Sequence, residues 1–157
     1  LVTGNMGSEL QMNYTCMGDT VNLAARLESG SKQWGIDAQV AQSVYDKTKD
    51  NFVFRKLGGI RVKGKTEPVN VYELLCQRGN EPEGLYELLG QFDSAMELYL
   101  KQDWDNAIKA FEESDKLEDM SGPRDTNPSR TYIKICSEFK DNPPGDDWDG
   151  VYTFKTK

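Results

Sequence analysis

The sequence predicts an α+β fold in two parts, and three observations carry that expectation. Residues 1–77 mix short runs of β-favouring residues with one amphipathic helix, the pattern of a sheet covered by helices. From residue 85 onward the hydrophobic period becomes that of an α-helix. Between them, RGNEPEG (78–84) is polar and carries Gly79, Pro82 and Gly84, the composition of a linker. Charge divides at the same place: residues 1–77 hold nine Lys/Arg and eight Asp/Glu, whereas residues 78–157 hold ten and eighteen. The expected division is residues 1–77, a linker at 78–84, a helical region at 85–142 and a tail at 143–157.

Each element has its own justification. MNYTCMG (12–18) has the character of a strand end and runs into GDTVNLAARLESGSKQWG, a helix with Asp19 as N-cap and Gly35 as its stop. FVFRKL (52–57) and IRVKG (60–64) flank Gly58-Gly59, which reads as a hairpin. After the Pro68 breaker, VNVYELL (69–75) reads as a buried strand. In the second part, Leu85, Leu88, Leu89, Phe92, Ala95, Met96 and Tyr99 recur at i, i+3, i+4 spacing. Asp103 caps a second helix with Trp104, Ala107, Ile108 and Phe111 on one face. Asn127-Pro128 opens a third, bearing Tyr132, Ile135, Cys136 and Phe139, with proline at the first helical position. Ala95, Ala107 and Phe111 fall at the small/small/aromatic offsets of one tetratricopeptide-type repeat, although its consensus Trp and Pro are absent. An ordinary helical hairpin capping the first part fits the same residues. Trp104 and Trp148 read as core, with interface anchoring as the alternative.

Composition narrows the function. Charged residues make up 29% of the chain and the net charge is −7, which argues against a nucleic-acid or anionic-membrane binder. No apolar run approaches the ~20 residues that cross a bilayer. The chain opens on Leu1 with no basic segment before an apolar stretch, so a signal peptide is not visible and a piece of a longer chain is expected. Cys16, Cys76 and Cys136 are too far apart for a disulfide framework or a zinc site, so a reducing, cytoplasmic compartment is expected. The sequence contains no histidine, which excludes imidazole acid–base chemistry and histidine metal sites.

Chemistry concentrates in GNMGS (4–8) followed by YTCMGDTVNLAARLES (14–29). On the helix, Val21, Leu23, Ala24, Ala25 and Leu27 cover a broad apolar arc and predict a helix mostly buried in protein. Asn22 and Arg26, at i and i+4, share the narrow polar strip, with Ser29 one turn further. A carboxamide and a guanidinium so placed need a partner. Either a surface carboxylate or a phosphate or ribose oxygen satisfies them. GNMGS by itself requires only a turn after a strand. In RVKGKTEPVNVYEL (61–74), Lys63 and Lys65 flank Gly64, which lets the backbone approach another group; the KGK run alone fits a solvated surface pair as well as a lysine directed to a cleft. There is no G-x-x-x-x-G-K-[ST], so this is not a P-loop protein.

Taken together, residues 1–77 resemble the C-terminal portion of the catalytic domain of class III adenylyl/guanylyl cyclases. The resemblance runs in order through GNMGS, YTCMGDTVNLAARLES, FRKLG and VKGKTEPVNVYEL. It implies a partial ferredoxin-like α+β sandwich that forms head-to-tail dimers, as a homodimer or with a partner cyclase chain, with ATP bound between them. By position, Asn22 would orient the ribose and Arg26 would stabilise the phosphoryl transition state. Lys63 would bind the terminal phosphates, and Thr15 would read the adenine edge. The reaction implied is conversion of ATP to cyclic AMP and pyrophosphate in intracellular signalling, with two Mg or Mn ions as cofactors. The family's metal-binding aspartates and a purine-contacting lysine lie before the GNMGS segment, so no metal ligand is expected in this chain, and alone it is expected to be inactive. The full protein could then carry a membrane anchor with this part on the cytosolic side. Two other classes stay open: a cyclase-like module that binds nucleotide or dimerises without turnover, and a helical-repeat module that binds a protein partner.

Overall fold

The computed structural model describes residues 1–8, 10–61, 68–118 and 125–153. In chain order its elements are β1 (Val2–Ser8), β2 (Gln11–Met17), α1 (Asp19–Trp34), β3 (Gln39–Ala41) and α2 (Gln42–Thr48), then β4 (Phe52–Ile60), β5 (Val69–Gln77), α3 (Leu85–Leu100), α4 (Trp104–Asp115) and α5 (Pro128–Asp141). The fold is mixed α and β, with two antiparallel sheets. Among the described residues β1 pairs with β2 alone, Val2 opposite Met17 and Ser8 opposite Gln11. The second sheet has the order β3-β5-β4, with β5 at its centre.

Local chemistry explains most boundaries. Gly18, at φ 143°, is the N-cap of α1, and its carbonyl accepts from the N–H groups of Val21 and Asn22 at 3.1 Å each. Asp19 is therefore the first residue inside the helix and not its cap; there its carboxylate favours the positive end of the helix dipole. Gly35 closes α1 in the left-handed conformation at φ 67°, where a residue without a β-carbon is least strained. Asp103 caps α4 by accepting from the Asn106 N–H. Asn127 does the same for α5 from the Arg130 N–H at 2.8 Å, with Pro128 opening the helix.

Two expectations fail for tertiary reasons. GNMGS is not a turn, because Gly4–Ser8 form part of β1. Nor does Gly58-Gly59 make a hairpin: β4 continues through both glycines, pairing them with Val71 and Asn70 of β5. The register shifts between Lys56 and Gly58, and Gly58 adopts φ 89° in that irregularity. A β-carbon on Gly58 would lie 2.9 Å from the Tyr132 hydroxyl. The bare glycine leaves Tyr132 of α5 room to donate to the Leu57 carbonyl at 2.7 Å.

α3 and α4 form an antiparallel pair: Phe92 lies 5.4 Å from Phe111, and Tyr99 lies 5.8 Å from Trp104. Ala95 and Ala107 are fully buried, which lets the helices approach closely. Helices and sheet share one core, in which Leu27, Trp34, Leu57 and Val71 meet Phe92, Tyr99, Phe111, Tyr132 and Cys136. Tyr132 is its hub, stacked on Phe111 at 5.0 Å and tilted against Trp34 at 5.3 Å. Trp104 and Trp148 pack edge-on to Tyr99 and beside Phe139, half-buried against the core. Arg55 of β4 is buried there as well. Its Nε donates to Glu73 at 2.8 Å, its Nη1 donates to Glu118 at 2.6 Å, and its guanidinium sits 4.8 Å over the Phe92 ring.

Candidate active site

The β2–α1 unit carries three of the four site residues read from the sequence. Thr15 lies on β2 opposite Gly4 and is exposed. Met17 ends the strand, Gly18 turns the chain, and α1 then presents Asn22 and Arg26 one turn apart, both exposed. The Arg26 carbonyl accepts from the Ser29 hydroxyl at 3.1 Å, so Ser29 bonds back to the helix at that point. Lys63 and Lys65 lie outside the described residues.

The apolar arc expected of α1 is only half realised. Leu27, Ser31 and Trp34 are its buried residues, all in the C-terminal half. Val21 and Leu23 are half-buried, while Ala24 and Ala25 are exposed. The reason is geometric. The C-terminal end of α1 meets α5 through Gln33 and Trp34, whereas its start follows directly on the β1–β2 hairpin. That hairpin is itself open on both faces, with Val2 66% exposed, Met12 60% and Tyr14 77%. A cleft of about 300 Å³ lies between α1, β3 and α2, lined by Leu23, Leu27, Val40 and Val44 among others. Asn22 and Arg26 do not line it.

Among the described residues, no group of three or more His, Cys, Asp or Glu side chains could hold a metal ion. The described residues therefore do not fit the pair of Mg or Mn ions that the resemblance implies. Among the described residues, no helix is long and apolar enough to cross a membrane.

The contact the sequence did not disclose lies at the far end of α1. The Thr131 hydroxyl of α5 donates to the Gln33 carbonyl at 3.2 Å. Nothing in the local pattern around Thr131 signals it, because its partner is distant in the chain.

Residues 1–75 match the family model for the adenylate and guanylate cyclase catalytic domain. That match is a similarity of this segment to adenylate and guanylate cyclase catalytic domains. The chain is 38% identical over 74 residues to adenylate cyclase 1 of Rhizobium meliloti, covering 47% of this chain and 11% of that protein. It is 30% identical over 139 residues to the terminal-differentiation specific adenylate cyclase of Dictyostelium discoideum, covering 86% of this chain and 6% of that protein. The second similarity is too long to end within the first 77 residues and crosses into the helices. The chain thus spans a small part of the length of the relatives it matches. A crystal structure of the adenylyl cyclase CyaB from P. aeruginosa aligns with a TM-score of 0.42 at 35% identity, covering 51% of this chain and 40% of that one.

Proposed function

We propose that this chain provides the β2–α1 half of an adenylate cyclase active site, which converts ATP to cyclic AMP and pyrophosphate. One observation carries the reading: Asn22 and Arg26 stand exposed one turn apart on α1, inside the segment that matches the cyclase catalytic domain. In the reaction the ribose 3′ hydroxyl gives its proton to solvent water and its oxygen attacks the α-phosphorus. The bond to the bridging oxygen of the β-phosphate breaks, and pyrophosphate leaves. Asn22 holds the ribose so that this oxygen faces phosphorus, and orientation is a large share of the catalysis available to such a site. Arg26 donates to the charge that builds on the phosphoryl oxygens, a stabilisation strongest in the transition state. Lys63 attracts the terminal phosphates, and Thr15 meets the adenine edge.

The site is shared between two chains, as a homodimer or with a partner cyclase chain. The open β1–β2 hairpin supports this, since an isolated two-stranded hairpin is marginal in water and exposed apolar clusters mark contact surfaces. Two divalent ions, held by ligands from another segment or chain, complete the proposal, as does a cytoplasmic setting for intracellular signalling. The α3–α4 pair reads as one tetratricopeptide-type hairpin, which fully buried Ala95, Ala107 and Phe111 support, and it is open to a protein partner. The test is to mix this chain with a cyclase chain that brings the metal ligands but lacks its own Arg/Asn helix. Cyclic AMP formed from ATP only in the mixture supports the reading; none in any mixture overturns it.

A further inference from the structure

The last four carbonyls of a helix have no partner inside it. At the end of α1, the carbonyls of Ser31 and Lys32 accept from the N–H groups of Ile36 and Gly35. The Gln33 carbonyl is served from outside, by the Thr131 hydroxyl of α5 at 3.2 Å. Thr131 is 6% exposed, so water has little access to replace it. Two further contacts grip the same point. The Trp34 ring lies 5.3 Å from Tyr132, and a β-carbon on Gly35 would collide with the Thr126 carbonyl.

The helix's buried residues, Leu27, Ser31 and Trp34, lie in its C-terminal half, and only Leu23 of the N-terminal half packs on the core, so the Gln33 end is one of the anchors that set its direction. Asn22 is eleven residues from Gln33, or about 16 Å at 1.5 Å per residue. A tilt of roughly 5° at the grip would therefore carry Asn22 by about 1 Å, and an error of that size is known to cost catalysis heavily.

We propose that Thr131 is a positioning residue: its hydroxyl fixes the C-terminal end of α1 and thereby aims Asn22 and Arg26 at the nucleotide. The helical region is on this reading a brace for the catalytic helix. The similarity to the Dictyostelium cyclase, which continues from the strands into the helices, agrees with the two parts acting as a unit. The proposal rests on the cyclase reading of Asn22 and Arg26.

Two variants of the full chain separate the possibilities: Thr131→Val, which keeps the shape and loses the hydroxyl, and Thr131→Ser, which keeps it. In the mixture with a metal-bearing cyclase chain, Thr131→Val is expected to lower kcat roughly three- to tenfold, the worth of one hydrogen bond, with KM for ATP within about twofold. Thr131→Ser restores kcat. Amide exchange across α1 rises roughly fivefold in Thr131→Val and returns in Thr131→Ser, while α3 amides stay unchanged. Unchanged α1 exchange with unchanged kcat overturns the proposal. So does exchange that rises as much in α3 as in α1, because Thr131 would then serve the core as a whole. If the unmodified chain forms no cyclic AMP in the mixture, the cyclase reading fails, and the exchange comparison alone decides whether Thr131 holds α1.

Discussion

Arg55 on β4 and Glu118, just past the end of α4, form an ion pair of 2.6 Å whose side chains are 1% and 7% exposed. Glu118 also accepts from the Ser129 hydroxyl at 2.7 Å, and Arg55 is shared with Glu73 of β5. Burial alone would lower the Arg55 pKa; Glu73 and then Glu118 outweigh it and hold the guanidinium above its ordinary value. One guanidinium therefore ties the sheet to the helical region.

Removing that guanidinium leaves two carboxylates buried face to face. Arg55→Met is expected to cost about 3–5 kcal/mol of folding stability, the usual penalty for stranding a buried charge. Glu118→Gln keeps the Glu73 pair and is expected to cost less, about 1–3 kcal/mol. Urea unfolding of both variants checks the order. Equal losses would mean that Glu73 and Glu118 do not depend on the same cation.

The cysteines differ in accessibility, which gives a chemical check on the fold. Cys16 on β2 is exposed, whereas Cys136 on α5 is fully buried. Burial pushes the Cys136 thiol up to about 12, and burial also raises Cys76. Iodoacetamide at about pH 8, just below the ordinary thiol pKa, is expected to label Cys16 first and Cys136 only after unfolding. The sign of the pH effect follows from the raised value. The fold favours the protonated Cys136 thiol, so its contribution is intact below about pH 8.5 and is lost as pH rises toward the folded value. Equal labelling of Cys16 and Cys136 in the native chain would refute the burial of α5.

Base choice is a separate matter from catalysis. The exposed Thr15 hydroxyl can accept from the adenine amino group. Thr15→Cys keeps a similar volume with a weaker hydrogen bond. In the two-chain mixture it is expected to erode the preference for ATP over GTP by about 1 kcal/mol. Competition between the two triphosphates measures this directly. An unchanged ratio of specificity constants would remove Thr15 from the base site.

What the sequence disclosed was whatever local chemistry decides. Gly35 as a stop, Asp103 and Asn127 as caps, and the i, i+3, i+4 rows of α3 to α5 all depend on residues within a turn or two. Short β3 and α2 escaped notice because three and seven residues are too few to show a period. The continuation of β4 through Gly58-Gly59 depends on the approach of Tyr132, which no local pattern can announce. Arg55 read as one residue of an FRKLG strand, yet its burial depends on Glu118, 63 positions away. At the site, Asn22 and Arg26 could be placed on one strip because helical spacing alone aligns them. The exposure of Ala24 and Ala25 could not, since it depends on where β3 and α5 meet the helix.

The most direct test of Arg26 and Asn22 is the turnover of their alanine variants in the two-chain mixture, with ATP as substrate. Arg26→Ala is expected to lower kcat on the order of 10²-fold with a smaller change in KM, because its donors act mainly in the transition state. Asn22→Ala is expected to lower kcat as well, through lost ribose orientation. Turnover equal to that of the unmodified chain in both variants would show that α1 does not carry the chemistry.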